Sequence, residues 1–395
     1  MSRAFRIKNV RVWIVSKSSK GGDYFNQGDG EHWLVDSLIS NPMSGYADYR
    51  EKRTSWGIGV LGSIVVEIEA DDGTVGVATG TGGFPAGWLI ENHFSRFLVG
   101  QDARNTNLIW DQMYRASLPY GRKGITVMAI SAVDLALWDL LGKIRSEPVY
   151  NLIGGLTRDE ISFYCTGPDA SAIKGMGFWG AKVPLPHSPT DGDEGLASNV
   201  AYLRAHREAI GPDFPLMVDC YMSLNVPYAI ELAEACKDIN IYWWEEVLSP
   251  EDVEGYRRIR QAHPKLKWTT GEHEYTRYGF RSLIEERLID VLQPDVMWVG
   301  GLTELLKIAG HASTLDIPII PHGSGPYSYH FIASQTSAPL CEYVATSRDG
   351  RTILPVFGDL FEGEDVPENG KLTLSHAPGF GMNIRDREVL KPLRH

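Results

Sequence analysis

The chain has 395 residues, 43% hydrophobic and 10% aromatic, which suits two domains with large buried cores and excludes disorder or collagen-like repetition. Its 50 acidic residues outnumber 38 basic ones, and the formal charge of −12 opposes a broad electrostatic footprint on nucleic acid or an anionic membrane. A small-molecule ligand is the better expectation.

Cys165, Cys220, Cys236 and Cys341 are scattered, with no CxxC pair or zinc-like spacing, and read as buried free thiols. The apolar stretch from Val10 to Val15 is broken by Arg11, no small-residue cleavage signal follows, and nowhere do ~18 apolar residues run without a charge. These features point to a cytoplasmic protein.

In chain order, Ile7 to Val15 alternates as a strand, and Ser63 to Glu69 turns at Asp71-Asp72-Gly73 into Thr74 to Ala78, a hairpin of an antiparallel sheet. Between them, Lys20 to Arg53 is a long glycine-rich connection containing Tyr24, His32 and Trp33, longer than a compact domain needs and suited to a lid. Helical spacing through Ala129, Val133, Ala136, Leu137 and Leu140 predicts a buried helix from Ile125 to Leu141, with Gly142 marking its end. After Gly154-Gly155 the pattern changes to short apolar strands alternating with amphipathic helices. Strand candidates are Ile161 to Cys165, Trp179 to Val183, Leu216 to Cys220, Tyr242 to Val247, Trp268 to Glu272, Asp290 to Asp295, Ile317 to His322 and Leu340 to Val344. Helical candidates between them include Ala201 to Ile210, Tyr228 to Cys236, Val253 to Ala262 and Leu305 to Ser313. Parallel strands with crossover helices predict an α/β fold, a (β/α)8 barrel. After Asp349 the rhythm stops, and the last segment is expected to pack back on the first domain. The resulting division is 1–155, 156–348 and 349–395.

In such a barrel, reactive groups sit where strands end. Asp219, Glu245 or Glu246, Glu272, Asp295 and His322 each follow a strand candidate and are separated by about one β-α unit, so they would reach a single rim. A loop carboxylate or a helix N-cap would explain any one of them; the recurrence at β-α period argues for a site. Three carboxylates gathered there repel one another unless a divalent cation joins them, and oxygen ligands favour a hard ion such as Mg²⁺. Neighbouring strand residues face opposite sides, so only one of Glu245 and Glu246 is expected to point inward; Glu245 is taken as the ligand, although pleat counting alone does not choose. Asp295 and His322 lie on adjacent strands, where the carboxylate would orient the imidazole as a general base. Gly323-Ser324-Gly325 lacks the G-x-S-x-G elbow of a serine hydrolase, and Gly80, Gly82 and Gly83 do not complete a dinucleotide fingerprint.

Further motifs carry a family resemblance. Ala129-x4-Asp134-x-Ala136-x2-Asp139-x2-Gly142-Lys143 with Pro148 and Gly154-Gly155, Val218-Asp219, Trp244-Glu245-Glu246, Gly271-Glu272, Gln293-Pro294-Asp295 and Pro321-His322-Gly323 together resemble the mandelate racemase subgroup of the enolase superfamily. Gly21-Gly22-Asp23-Tyr24, His32-Trp33, Asn41-Pro42-Met43-Ser44, Gly271-Glu272-His273 and His322-Gly323-Ser324 bring the chain nearest to the L-rhamnonate dehydratases of that subgroup. The resemblance covers essentially the whole chain. It implies a modified (β/α)8 TIM barrel with an α+β capping domain, one Mg²⁺ per subunit on Asp219, Glu245 and Glu272, and His322 as base with Asp295 behind it. The implied reaction is sugar-acid dehydration through a metal-stabilised enediolate, with syn loss of the 3-hydroxyl and protonated His322 as the acid. His32, Arg53, Lys182, His273 and Glu342 are the implied substrate contacts, His273 also being open to a role as second acid. Many relatives carry Lys-x-Lys at the end of the second barrel strand; here Lys182 is followed by Val183-Pro184, which removes the second base that a racemase needs. A homo-oligomer, of octameric form in the resemblance, is expected, with no nucleic-acid or membrane partner. Dehydration of L-lyxonate or L-mannonate and a catalytically silent metal-binding barrel are the rival readings.

Overall fold

The computed structural model describes residues 5–15, 32–50 and 61–393. Strands β1 (Ile7–Val15), β2 (Ile64–Ala70) and β3 (Val75–Gly80) form an antiparallel sheet, with β2 and β3 joined by the turn expected at Asp71-Asp72-Gly73. The helix Ile125–Arg145 lies across this sheet at unusually close range. A Cβ on Gly76 would come within 2.3 Å of the Ala136 carbonyl, and one on Gly80 within 2.7 Å of the Ala132 Cβ. Small residues on both elements therefore set the packing distance. Among the described residues this is the one helix long and apolar enough to cross a bilayer, and 89% of its apolar window is buried inside the protein.

Gly142 does not end that helix. The last turn continues to Arg145, and Ser146 takes the left-handed conformation (φ 55°). The absence of a side chain at Gly142 serves packing: a Cβ there would lie 2.6 Å from the Gly379 backbone. Two buried carboxylates on the helix bind distant segments. Asp139 accepts from the amides of Val77 (2.8 Å) and Phe380 (3.0 Å), and Asp134 from that of Thr303 (2.8 Å). The helix thereby links the capping sheet, the barrel and the C-terminal segment.

The barrel strands are β4 (Ile161–Thr166), β5 (Ala181–Pro184), β6 (Leu216–Asp219), β7 (Ile241–Glu245), β8 (Trp268–Thr270), β9 (Val291–Leu292) and β10 (Cys341–Val344). They form a parallel ladder in the order β10-β4-β5-β6-β7-β8-β9. The expected strand from Ile317 to His322 joins only through an isolated bridge between Leu292 and Ile319. Pro318 and Pro321 remove two amide donors from that stretch, and the Ile319 amide turns to Ser337, so no regular ladder forms. Crossover helices follow each of the first seven barrel positions, at Ala170–Gly175, Gly192–Ile210, Val226–Ala235, Val253–Ala262, Thr276–Glu285, Gly301–Ser313 and Pro326–Ser334; none follows β10. From there the chain makes β11 (Phe361–Glu362), β12 (Lys371–Leu372), β13 (Asn383–Ile384) and β14 (Leu390–Pro392). β12 pairs antiparallel with β4, and β14 returns to pair with β1.

Burial, only partly offset by the Thr303 hydrogen bonds and the Lys307 charge, pushes the Asp134 carboxyl up to about 7. Its folded value lies above its unfolded one, so its contribution to stability is complete below the unfolded value of 3.8 and is lost as pH rises through 7. Asp134→Asn keeps an oxygen for Thr303 and removes the titration. The melting temperature of the wild type relative to this variant is expected to fall by about 2 °C or more between pH 5 and pH 8, the shift that ~1 kcal/mol gives in a large domain. A difference independent of pH would refute the assignment.

Candidate active site

The barrel interior is packed by Tyr164, Met217, Trp243, Val291 and Ile320. Two residues further along their segments come Thr166, Asp219, Glu245, Gln293 and His322, which alternation turns to the same interior side at the C-terminal rim. Register agrees: Asp219 pairs with Pro184 on one side and with Glu245 on the other. The floor is thus apolar and the layer above it polar and charged.

Two carboxylates reach this layer against alternation. Glu246 follows β7 with φ 45°, so the chain turns and buries its carboxylate at the site as well. The expectation that only one of Glu245 and Glu246 faces inward is corrected here: alternation ends with the strand. Glu272 follows Gly271, whose φ of 139° and 2.9 Å approach to Phe280 admit only glycine. That turn brings the Glu272 carboxylate to within 3.5 Å of the His322 Nε2.

Asp219, Glu245 and Glu272 offer oxygen atoms within 4.8 Å of one another, a donor set suited to a hard divalent cation. Glu246, Glu272 and His273 form a second such group, but there the His273 Nδ1 is already 2.9 Å from Glu246 Oε2. Lys182, fully buried, bonds Glu245 and lies 2.9 Å from Glu342 and 3.5 Å from Asp219. Glu245 also accepts from Gln293 (2.5 Å) and the Trp243 indole (3.2 Å). Glu342 accepts from Thr166 and from the Gly323 amide (2.9 Å).

Charge follows this geometry. Burial, only partly offset by Lys182, pushes Glu245 up to about 8, and burial also raises Glu272 and Glu246 to about 8. Burial opposes ionisation of Glu342 too, but Lys182 and His322 overcome it and hold the carboxyl down to about 2. Lys182 is raised well above its usual value because Glu245 and Glu342 outweigh its desolvation. The pocket therefore gathers more carboxyl groups than Lys182, the one lysine among the described residues there, can hold ionised.

His322 Nδ1 sits 2.9 Å from Asp295 Oδ2, and Asp295 is itself fixed by Ser324 Oγ (2.8 Å) and the Met297 amide (2.7 Å). This fixes the ring with Nε2 available on the other side. Burial disfavours its charged form, yet Glu272, Glu342 and Asp295 together raise its pKa well above the ordinary value. Trp298 packs against the rings of both His322 (5.6 Å) and His273 (5.3 Å). His273 lies 3.4 Å from the Tyr221 hydroxyl, and its pKa is lowered by desolvation. Sequence reasoning missed the roles of Glu246, Gln293, Thr166, Tyr221 and Trp298 in this arrangement. For Gln293 the signal was present, since it stands two residues before Asp295 on the same face.

A cleft opens among Lys182, Pro184, Asp219, Tyr221, Glu272 and His322 and is roofed by Trp33, Leu34 and Ile39. The roof is fastened to the barrel loops: Trp33 Nε1 donates to Ala345 (2.7 Å), the Ser40 amide to Leu185 (2.8 Å), and Thr190 Oγ1 to Ser44 (2.9 Å). His32 is buried at the start of the roof helix, where its Nδ1 accepts from the Leu34 amide (3.1 Å), and its neighbours supply the lining. Arg53 and the first part of the glycine-rich stretch lie outside the described residues. Pro184 stands in the cleft wall, so the side chain two beyond Lys182 brings no titratable group. The arrangement can hold an anionic, oxygen-rich molecule against a cation and a carboxylate-supported histidine.

Residues 59–154 match the family described as Mandelate racemase / muconate lactonizing enzyme, N-terminal domain, and residues 170–389 match the Enolase C-terminal domain-like family. The chain is 46% identical over 392 residues to L-rhamnonate dehydratase of Saccharopolyspora erythraea, covering 99% of this chain and 100% of that protein. The crystal structure of rhamnonate dehydratase from Gibberella zeae complexed with Mg superposes with a TM-score of 0.97 at 59% identity, covering 100% of this chain and 98% of that one. The 3,6-anhydro-D-galactonate cycloisomerase of Zobellia galactanivorans is more distant, with a TM-score of 0.75 at 30% identity, covering 98% of this chain and 99% of that one. The chain belongs to the mandelate racemase subgroup of the enolase superfamily, with a modified TIM barrel under an α+β capping domain.

Proposed function

We propose that the protein is a Mg²⁺-dependent hydro-lyase that converts L-rhamnonate to 2-keto-3-deoxy-L-rhamnonate and water. The observation that carries this reading is the Asp295-His322 pair beside the oxygen-only group Asp219, Glu245 and Glu272, in a chain 46% and 59% identical to proteins named for that activity. Asp219, Glu245 and Glu272 would hold the cation. Bound Mg²⁺ supplies Lewis-acid stabilisation of charge on the substrate carboxylate and offsets the carboxylates that keep His322 protonated.

The chain's own groups perform the proton transfers. His322 Nε2 removes the C2 proton, while Asp295 holds the Nδ1 proton and stabilises the imidazolium. The same imidazolium then gives its proton to the 3-hydroxyl as the C3–O bond breaks, releasing water on the face from which the C2 proton left. The enol that remains tautomerises to the 2-keto acid. The cleft lining supports one-face chemistry, because Pro184 occupies the position where a lysine would serve the other face. Lys182 and Glu342 are suited to neutralising and orienting the substrate carboxylate, His273 to contacting a hydroxyl, His32 opens the segment that roofs the cleft, and the Arg53 guanidinium has the chemistry to clamp an anionic, oxygen-rich substrate. In this reading, of the described residues, those within 1–155 cap the site, 156–348 catalyse, and those within 349–395 fasten the two together. Buried free thiols at all four cysteines suit a cytoplasmic enzyme, which acts as a homo-oligomer on a dissolved sugar acid.

Purified protein with Mg²⁺ should turn over L-rhamnonate best in a panel of aldonates, aldarates and uronates, with 2-keto-3-deoxy products detected by semicarbazide absorbance, and EDTA should stop it. A better L-lyxonate substrate would replace the substrate assignment, and Mg²⁺ binding without any turnover would overturn the enzyme reading. His322→Asn should lose about 10⁴-fold in turnover and abolish exchange of the C2 hydrogen with deuterated solvent while still binding Mg²⁺; exchange that persists would move the base elsewhere. Lys182→Met strips the one ammonium from Glu245 and Glu342 and should cost about 3–5 kcal/mol of stability without metal. That deficit should shrink on adding Mg²⁺, as read by melting with and without the ion. An equal deficit in both conditions would show that Lys182 and the cation do not share the same charges.

A further inference from the structure

The turn that carries Glu272 and His273 is bent at both ends. Gly271 opens it with φ 139°, and Thr276, a β-branched residue, closes it with φ 57°. Such a backbone persists only where its surroundings hold it. Two backbone bonds do so: the Glu274 amide donates to the Gly271 carbonyl (3.1 Å), and the Thr276 amide to the Val299 carbonyl (3.0 Å). The Glu274 side chain adds a third hold. Its Oε1 accepts from the Tyr275 amide (2.7 Å), and the carboxylate lies against the helix Thr276–Glu285, where a Cβ on Gly279 would meet Oε1 at 2.1 Å.

That carboxylate is buried, and its countercharge comes from the other domain. Lys123 stands in the capping domain just before the helix Ile125–Arg145, with its Nζ 2.9 Å from Glu274 Oε1 and 3.0 Å from Oε2. The same ammonium reaches Glu251 Oε1 (2.8 Å), on the chain that follows β7. The two pairs are unequal. Glu251 is 75% exposed, so water and salt screen its attraction to Lys123, whereas the Glu274 side chain is 6% exposed and loses a partner in a low-dielectric place if the lysine goes.

Resting on the functional reading above for the cation, we propose that Lys123 is a positioning residue for the metal site: its ammonium, supplied by the capping domain, holds Glu274 and through it the turn that aims Glu272 at Asp219 and Glu245. Glu272 must keep its oxygen close to those of Asp219 and Glu245 against the mutual repulsion of three carboxylates. A turn released from Lys123 lets Glu272 move away from them. The capping domain thereby contributes to cation affinity without touching the cation.

The test is the Mg²⁺ dissociation constant of the full chain, measured by titration calorimetry on the wild type, Lys123→Met, Lys123→Arg, Glu251→Gln, Glu274→Gln and the double variant Lys123→Met with Glu274→Gln. Loss of a group that orients a metal ligand costs roughly 10–100-fold in affinity, so Lys123→Met and Glu274→Gln should each weaken Mg²⁺ binding by about 10-fold. Lys123→Arg, which keeps the positive charge, should recover most of the loss, and Glu251→Gln should leave the affinity unchanged. Because Lys123 acts through Glu274, the double variant should also lose about 10-fold rather than the roughly 100-fold of two independent effects. A merely structural role would lower the melting temperature and leave the dissociation constant alone. Wild-type affinity in Lys123→Met, or losses that multiply in the double variant, overturns the proposal, and calorimetry reads either outcome whichever sugar acid is the substrate. If Lys123→Met fails to fold, Glu274→Gln, which keeps an oxygen for the Tyr275 amide, decides in its place, and an unchanged affinity there overturns the proposal. A wild type that binds no Mg²⁺ overturns the metal reading and the proposal together.

Discussion

Concentrating carboxylates in a buried space is electrostatically expensive, and the site is organised around that constraint. Asp219, Glu245, Glu246, Glu272, Asp295 and Glu342 converge on one barrel mouth, where the described residues include Lys182, His273 and His322 among them. Burial pushes several of these acids up to about 8, so the surroundings must either supply positive charge or keep protons bound. Lys182 compensates Glu245 and Glu342, Glu246 pairs with His273, and Asp219, Glu245 and Glu272 leave oxygens directed at a common point. A divalent cation fits there because it would hold Asp219, Glu245 and Glu272 ionised where burial otherwise favours their protonated forms.

Holding such a cluster requires a rigid frame on every side. Below it, Tyr164 and Trp243 pack edge to face at 5.1 Å and close the barrel against water. Above it, the segment from Trp33 to Ser44 is bonded to the loops after β5 and β10 rather than lying loosely over them. Behind it, the helix Ile125–Arg145 carries Asp134 and Asp139, which tie the barrel helix Gly301–Ser313, the capping sheet and the tail to one another. These acids belong to the family motif, yet their work in this protein is mechanical: each satisfies backbone amides that would otherwise be buried without partners.

The same logic separates two kinds of space at the mouth. The cleft is lined by Lys182, Asp219, Glu272 and His322, and the adjoining pocket sets Met297, Val344, Val356 and Phe357 beside the hydroxyls of Ser324 and Thr346. His322 and Val344 stand on the boundary.

Periodicity made the barrel legible, because its strands and helices recur at a regular interval and each strand end shows a polar residue. Asp219, Glu272, Asp295 and His322 stood out on that ground alone. Where local rules ended, the chain alone did not suffice. Whether Trp243 or Trp244 faces the interior decides the orientation of Glu245, and that depends on barrel closure rather than on either residue. Glu246 turns inward only because the chain leaves the strand with positive φ, and Gly142 lies inside its helix because the distant Gly379 backbone needs the space. The proline-interrupted segment at Ile319 takes its barrel position from its neighbours with a single bridge. The sequence by itself determined the element types, the β-α order and which acids and bases were available. The tertiary structure alone decided which of them share one low-dielectric space, because side-chain direction at strand ends, close backbone approaches and charge compensation all depend on residues far apart in the chain.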